Sequence, residues 1–392
     1  MKTISFIITN FNTKKYTEWC YNSIRKNLGY IHEIVMLDDG STDGTWELLQ
    51  KLKKTDMNMV IHRNKENIGI AYSYNKAVEL ASNEIVCMLH SDMYVPPKFD
   101  KIMLKYMKEY TFLTSLRVEP PLYDESVDKV IENFGETKNG FKEYEFLKWV
   151  ENNEIVNKDR VEQRMFFPWM ITKNLYEMLG GIDTLFLKYM VDDDDFYLRV
   201  KMSGAKYTQV WETAVYHIPS RSTKYRGDKL SFDEGKWDTQ YNKSIRNFIR
   251  KWGCWPGSVW DEQRDMKIPK KYDIGFVIEN CNMDVLKNLE PWASCMYIKK
   301  DKYTLDYIFE EQKNTDYNLV YRIKDYNSED KFKHDVIISF DTIPLNPERV
   351  GFLHRLPEIL SDSGEVGEME YDIFKLKINN LNTIEGGNVC IK

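Results

Sequence analysis

Ile34-Val35-Met36-Leu37-Asp38-Asp39-Gly40-Ser41-Thr42-Asp43-Gly44-Thr45 is the stretch that decides the fold. Its apolar start reads as a buried strand, because strands covered on both faces appear as short continuous apolar runs. The run stops in acidic, turn-forming residues that open a helix, and open α/β sheets bind ligands beyond the carboxyl ends of their strands. Asp38 and Asp39 therefore stand where a ligand would lie. The same arrangement occurs where Ile4–Ile8 runs into Thr9-Asn10-Phe11-Asn12, and where Ile85–Leu89 precedes His90-Ser91-Asp92-Met93. Three such strand ends predict one shared rim.

Apolar residues at helical spacing place helices near Thr17–Leu28, Thr45–Lys53 and Ala71–Ala81, so strand and helix alternate and call for a parallel sheet covered by helices. Pro96-Pro97 ends the third polar loop and starts another helix. Further on we expect strands at Thr111–Leu116 and Tyr207–Val215, a helical stretch near Lys142–Asn152, a mobile Ser/Arg/Lys-rich loop at Ser220–Lys229 and a helix at Gly235–Arg250. Ile268-Pro269-Lys270-Lys271 marks a boundary, which divides the chain into a domain over 1–270, with acceptor-side helices in 221–270, and an accessory α/β domain over 271–392. In the latter, strands are expected at Asp273–Ile278, Ala293–Ile298, Asn318–Ile323, Asp335–Phe340 and Ile373–Ile378. Its Asp335–Asp341 run is weakly similar to a Rossmann-like methyltransferase, but no Gly-rich cofactor loop follows its first strand.

The 392 residues, 42% hydrophobic and 14% aromatic, suffice for well-filled cores. A formal net charge of -6, with lysines interleaved among acids, gives no global basic field for nucleic acid. No apolar run approaches membrane-span length and no secretory pattern opens the chain, so a soluble cytoplasmic enzyme is expected. Cys20, Cys87, Cys254, Cys281, Cys295 and Cys390 lack metal-ligand spacing and read as reduced thiols.

The sequence resembles the family 2 glycosyltransferases of the GT-A fold across roughly residues 1–220. The resemblance rests on Asp38–Asp43, on Asn67-Ile68-Gly69-Ile70-Ala71 with Asn75, on Leu89–Asp92, on Gly180-Gly181-Ile182-Asp183, and on Asp192–Asp195 followed by Arg199. It implies a Rossmann-like nucleotide-sugar-binding domain with a mostly parallel central sheet. Thr9, Phe11, Asp38, Asp39, Asn67, Gly69 and Ser91 would then bind the nucleotide sugar, Asp38 or Asp39 accepting from the base and Asn67 and Gly69 approaching the diphosphate. Asp92 would hold Mn²⁺ or Mg²⁺, since hard cations on phosphates take oxygen from one or two carboxylates. His217 matches a histidine that some relatives add as a ligand. His90 stands where an acid is usual, as a ligand, a diphosphate contact or a packing residue.

Four adjacent carboxylates repel one another and raise at least one pKa, which suits a general base. Alignment on Arg199 puts Asp193 at the base and Asp192 before it, with Asp195 a structural helix-start residue. Trp169 falls where relatives carry acceptor residues, with core packing as the alternative, and Arg221, Lys224 and Arg226 are candidates for a lid over the diphosphate or for a merely solvated loop. The expectation is an inverting, metal-dependent transferase that moves sugar from a nucleotide sugar, taken as a UDP-sugar, to a hydroxyl of a glycan or other acceptor. Neither a nucleic-acid partner nor a membrane span is expected, and the C-terminal domain would dock the acceptor or pair with a second copy. The rivals are a glycan- or nucleotide-sugar-binding protein without catalysis, and nucleotidyl transfer, which Thr9–Thr13 disfavours by lacking a glycine.

Overall fold

The computed structural model describes residues 2–383 except 187, 222–223, 227–228 and 231–233, with side chains at 225–226, 229–230 and 234–238 outside the description. Ten strands form the first sheet: β1 Ile4–Asn10, β2 Glu33–Asp38, β3 Met59–Arg63, β4 Ile85–His90, β5 Met93–Tyr94, β6 Thr111–Glu119, β7 Lys129–Ile131, β8 Val161–Glu162, β9 Trp169–Thr172 and β10 Lys206–His217. The path runs β3-β2-β1-β4-β9-β6-β10-β5, with β7 on β6 and β8 on β10. β1 pairs in parallel with β2 and β4, and β2 with β3, as three apolar runs separated by helices require. The fold class is thus α/β with a mostly parallel, mixed central sheet.

β9 inserts antiparallel between β4 and β6, an arrangement that no helical crossover in the sequence announces. Its four residues are all buried, so each side chain packs against a neighbouring layer. Helices α1 Lys14–Leu28, α2 Thr45–Lys53, α3 Ile70–Leu80 and α4 Phe99–Tyr106 cover the parallel part, and α5 Glu143–Val156, α6 Lys173–Met178, α7 Asp192–Met202 and α8 Glu234–Trp252 follow. Between the last two lies the short pair β11 Tyr225–Arg226 and β12 Lys229–Leu230, where the mobile loop was expected.

The second sheet, ordered β15-β14-β13-β16-β18-β17, is built from β13 Ile274–Glu279, β14 Cys295–Ile298, β15 Ile323–Asp325, β16 Val336–Asp341, β17 Gly367–Tyr371 and β18 Phe374–Ile378. Helices α9 Met283–Leu289, α10 Lys302–Glu311, α11 Leu319–Arg322, α12 Pro347–His354 and α13 Leu356–Ser363 join these strands. The strand expected at Asn318–Ile323 is instead the helical turn α11, because the Asn318 side chain accepts from the Val320 and Tyr321 backbone N–H groups and caps it. Only Ile323 of that stretch enters a strand.

Helix α8 serves both cores. Phe248 and Trp252 pack into the core under the first sheet, and Ile245 and Ile249 into the core under the second. A fully buried side chain of this kind contributes about 1.5–3 kcal/mol. No helix among the described residues is long and apolar enough to cross a membrane. Cys20, Cys87, Cys254, Cys281 and Cys295 are free, and Cys390 lies outside the described residues.

Candidate active site

Strand register brings the polar tips together. Thr9 of β1 is level with His90 at the end of β4, and Asn10 with Asp38 at the end of β2. Thr9 and Ile70 form part of the wall of two cavities, one of about 80 Å³ and one of about 480 Å³.

Phe11, Asp39, Asn67 and Gly69 line the smaller cavity. Asp39 does not offer a free carboxylate there: Oδ1 accepts from Asn64 Nδ2 (2.7 Å) and the Ile68 N–H (3.1 Å), and Oδ2 from the Gly69 N–H (3.0 Å). It shapes the loop before α3. Asp38 is not on the cavity wall; it is fully buried, 3.1 Å from Arg63 Nε, and accepts from the Ser41 N–H. Burial pushes its carboxyl above the ordinary range. The expected base contact from Asp38 is therefore corrected to a brace beneath the loop, the usual fate of an acid at the start of an Asp-Gly turn. Asn67 Oδ1 is buried without a hydrogen-bond partner, and an orphaned acceptor costs about 1–3 kcal/mol.

The larger cavity contains His90, Ser91, Asp92 and His217 on its wall, with Arg117, Glu119 and Lys129 beside them. One ligand atom each from His90, Asp92 and His217 lie within 4.8 Å of one another. His217 Nδ1 is 2.7 Å from Glu119 Oε1, and Glu119 is clamped by Arg117 (2.8 Å) and Lys129 (3.0 Å). With Nδ1–H donated to Glu119, Nε2 faces Asp92 Oδ1 at 3.4 Å, the carboxylate–histidine arrangement that orients metal ligands. Asp92 Oδ2 accepts from the Arg221 N–H at 3.2 Å, while Oδ1 is buried with no hydrogen-bond partner. The Ser91 hydroxyl donates to Thr13 Oγ1, and the His90 ring stacks on Phe167 at 4.2 Å.

Burial and the neighbouring His217 push the His90 pKa down to about 4, leaving a neutral imidazole. Burial also opposes charge on His217, but Asp92 and Glu119 outweigh it and lift that ring to about 9. Asp92 is held below the usual carboxylate range by both histidines against the cost of its burial. The unpaired Asp92 oxygen and the two imidazoles form a donor set that could hold a divalent metal ion.

The acidic run begins α7. Asp195 is structural, as expected: it pairs with Arg199 at 2.7 Å and Lys251 at 2.6 Å, and accepts from Trp252 Nε1. Asp194 accepts from Trp260 Nε1. Asp192 and Asp193 are both raised by burial; the charge of Asp193 lifts Asp192 further, whereas Arg117 eases Asp193 back down. Tyr74 is on the larger cavity's wall, where burial pushes its hydroxyl up.

Trp169 is fully buried and stacked on Phe196 at 4.8 Å inside the core, so its acceptor role is corrected to packing. Lys224 lines the larger cavity, and the Arg221 guanidinium donates to the Glu136 carbonyl. The side chains of Arg226 and Trp237 lie outside the described residues.

Sequence reasoning missed Tyr74, Arg117, Glu119 and Lys129. Opposite charges at Arg117 and Glu119, two residues apart and so on one face at the end of a strand, were the available signal. It also missed the backbone before the acidic run, where Met190 (φ 81°) and Val191 (φ 58°) are left-handed, a conformation costly for a β-branched residue. Residues held this way cost roughly 1–3 kcal/mol each and cluster at functional sites.

Among curated proteins, this chain is 34% identical over 107 residues to a Bacillus subtilis protein provisionally named teichuronic acid biosynthesis glycosyltransferase TuaG, covering 27% of this chain and 42% of that one. It is 31% identical over 122 residues to the chondroitin synthase of Pasteurella multocida, covering 30% of this chain and 12% of that one. The chain thus matches less than half the length of these relatives. Among solved structures, GalNAc-T7 with UDP, GalNAc and Mn²⁺ aligns with a TM-score of 0.46 at 16% identity, over 68% of this chain and 49% of that one. Residues 5–151 match the model of glycosyl transferase family 2.

Proposed function

We propose that the protein is an inverting, metal-dependent glycosyltransferase that moves a sugar from a nucleotide sugar, a UDP-sugar, to a hydroxyl of a glycan or other acceptor. The observation that carries this reading is the cluster of His90, Asp92 and His217, with its unpaired Asp92 oxygen, on the wall of a cavity that also contains Tyr74 and Arg117.

Asp92, His217 and His90 would hold Mn²⁺ or Mg²⁺, which when bound neutralises the charge gathering on the departing diphosphate. Thr9, Phe11, Asn67, Gly69 and Ser91 bind the nucleotide sugar, with Asn67 Oδ1 as the free acceptor. Asp193 takes the proton of the acceptor hydroxyl, whose oxygen attacks the anomeric carbon as the bond to the diphosphate breaks on the opposite side. One displacement inverts the centre. Asp192, kept protonated by its burial and by the charge of its neighbour, donates a hydrogen bond instead of competing for the proton.

The relatives named for teichuronic acid biosynthesis and chondroitin synthesis support a glycan as acceptor. Free cysteines fit a reducing compartment, and we place the enzyme in the cytoplasm. The C-terminal unit docks acceptor or a second copy. The test is release of UDP from UDP-sugars with Mn²⁺. Release that chelator abolishes is expected, and no release from any nucleotide sugar in the presence of acceptor glycans would favour a binding protein.

A further inference from the structure

Helices α8, α9 and α10 wall a cavity of about 490 Å³, as roomy as the one that contains Asp92 and sharing no residue with it. The four-residue spacings Asn242–Arg246 on α8, Met283–Lys287 on α9 and Asp306–Glu310 on α10 put each pair on one helix face, and Lys243 joins the first. Three polar helix faces thus converge on one space of the size of a small-ligand site.

Part of the charge around this cavity is already used. Arg246 grips Glu311 through Nε at 2.8 Å and Nη2 at 2.6 Å, Glu311 also meets Arg250 at 2.7 Å, and Glu310 pairs with Lys313 at 2.9 Å. The side chains of Asn242, Lys243, Lys287 and Asp306 have neither hydrogen bond nor ion pair among the described residues. Two ammonium groups against one carboxylate give this unused set an excess of positive charge, with an amide and an acid beside it that can take hydroxyls.

Helix α8 also sets where the cavity lies. Ser244, next to Lys243, donates to the Tyr189 carbonyl at 3.0 Å, and Tyr189 stands on the wall of the smaller cavity with Asn67. A ligand held by Lys243 is therefore one residue of α8 away from a group that touches the wall of the proposed nucleotide-sugar site. A merely solvated helix face would carry such lysines singly; here two from different helices share one walled space.

We propose that this cavity holds the acceptor glycan and that the segment it holds is anionic. Lys243 and Lys287 take a carboxylate or phosphate of the chain, and Asn242 and Asp306 the hydroxyls of the sugar beside it. This assignment rests on the reading of the acceptor as a glycan.

The experiment titrates the full-length protein calorimetrically, without metal, with three probes: tetragalacturonate for the carboxylate, mannopentaose phosphate for the phosphate, and neutral maltotetraose. One charged probe is expected to bind at least tenfold more tightly than maltotetraose, and the double variant Lys243→Ser/Lys287→Ser, melting like the wild type, to lose at least tenfold of that affinity. Charged probes that bind the wild type no better than maltotetraose overturn the proposal whether or not the variant folds. Equal affinity of the folded variant and the wild type for the charged probe overturns the assigned site. UDP release from UDP-sugars with Mn²⁺, read in parallel without probe, keeps the two readings apart. A wild type that binds a charged probe through the two lysines but releases no UDP loses the transferase reading and keeps this site.

Discussion

Asp193→Asn is expected to lower the turnover of sugar transfer by about 10²–10⁴-fold, the usual worth of a positioned general base, while the Kd for the donor with Mn²⁺ stays within a few-fold. The substitution keeps the size of the side chain and its acceptor oxygen toward the Asp194 N–H, so the first turn of α7 survives. What disappears is the lone pair that receives the acceptor proton. Asp192→Asn removes a carboxyl that burial and its neighbour already keep protonated and should cost less. Burial raises the Asp193 pKa, so the base is charged only above that raised value. Turnover should fall as pH drops through it, and Asp193→Asn should flatten this limb. Initial rates with a saturating donor provide the check, and transfer at the native rate would refute the assignment.

Glu290→Ala is expected to destabilise the protein by about 3 kcal/mol in chemical denaturation, the lower end of the cost of breaking a buried ion pair, because Arg250 keeps Glu311 at 2.7 Å. Glu290 and Arg250 side chains are both 0% exposed and 2.5 Å apart, and Arg322 lies 2.6 Å from the same carboxylate. Arg250 belongs to α8, whose next residues, Lys251 and Trp252, hold Asp195 beneath the acidic run. Loss of Glu290 therefore loosens the element shared by the two cores. Burial opposes charge on Glu290, but Arg322 and Arg250 outweigh it and hold its pKa near about 2, against an ordinary 4.5. A carboxyl lowered on folding contributes stability above its unfolded pKa. That contribution should fade as pH falls from 4.5 towards 2 and be missing from the variant.

The sheet was largely legible because a buried parallel strand needs only local information: β1, β2 and β4 announce themselves as apolar runs with polar tips. β3 was missed because Met59–Arg63 mixes apolar and basic residues on a half-covered strand beside β2. β9 escaped because its partners are remote in sequence, and for the same reason Trp169 was read as a sugar platform when it is the plug between β4, β6 and α7. In the site, Asp92 and His217 could be named from position, but the clamp of Arg117, Glu119 and Lys129 depends on β6 lying between β9 and β10, which no local pattern encodes. Asp39 shows the opposite limit: an acid placed correctly at a rim can be fully used by its own loop.

The central claim is that Asp92 and His217 hold a divalent cation in the cavity that Asp193 serves. Titration of Mn²⁺ by electron paramagnetic resonance, with UDP present, addresses it directly in the wild type, Asp92→Asn and His217→Ala, with thermal melts to confirm folding. The account predicts saturable binding by the wild type and at least a tenfold loss of affinity in each variant. Folded Asp92→Asn that binds Mn²⁺ as tightly as the wild type would contradict it.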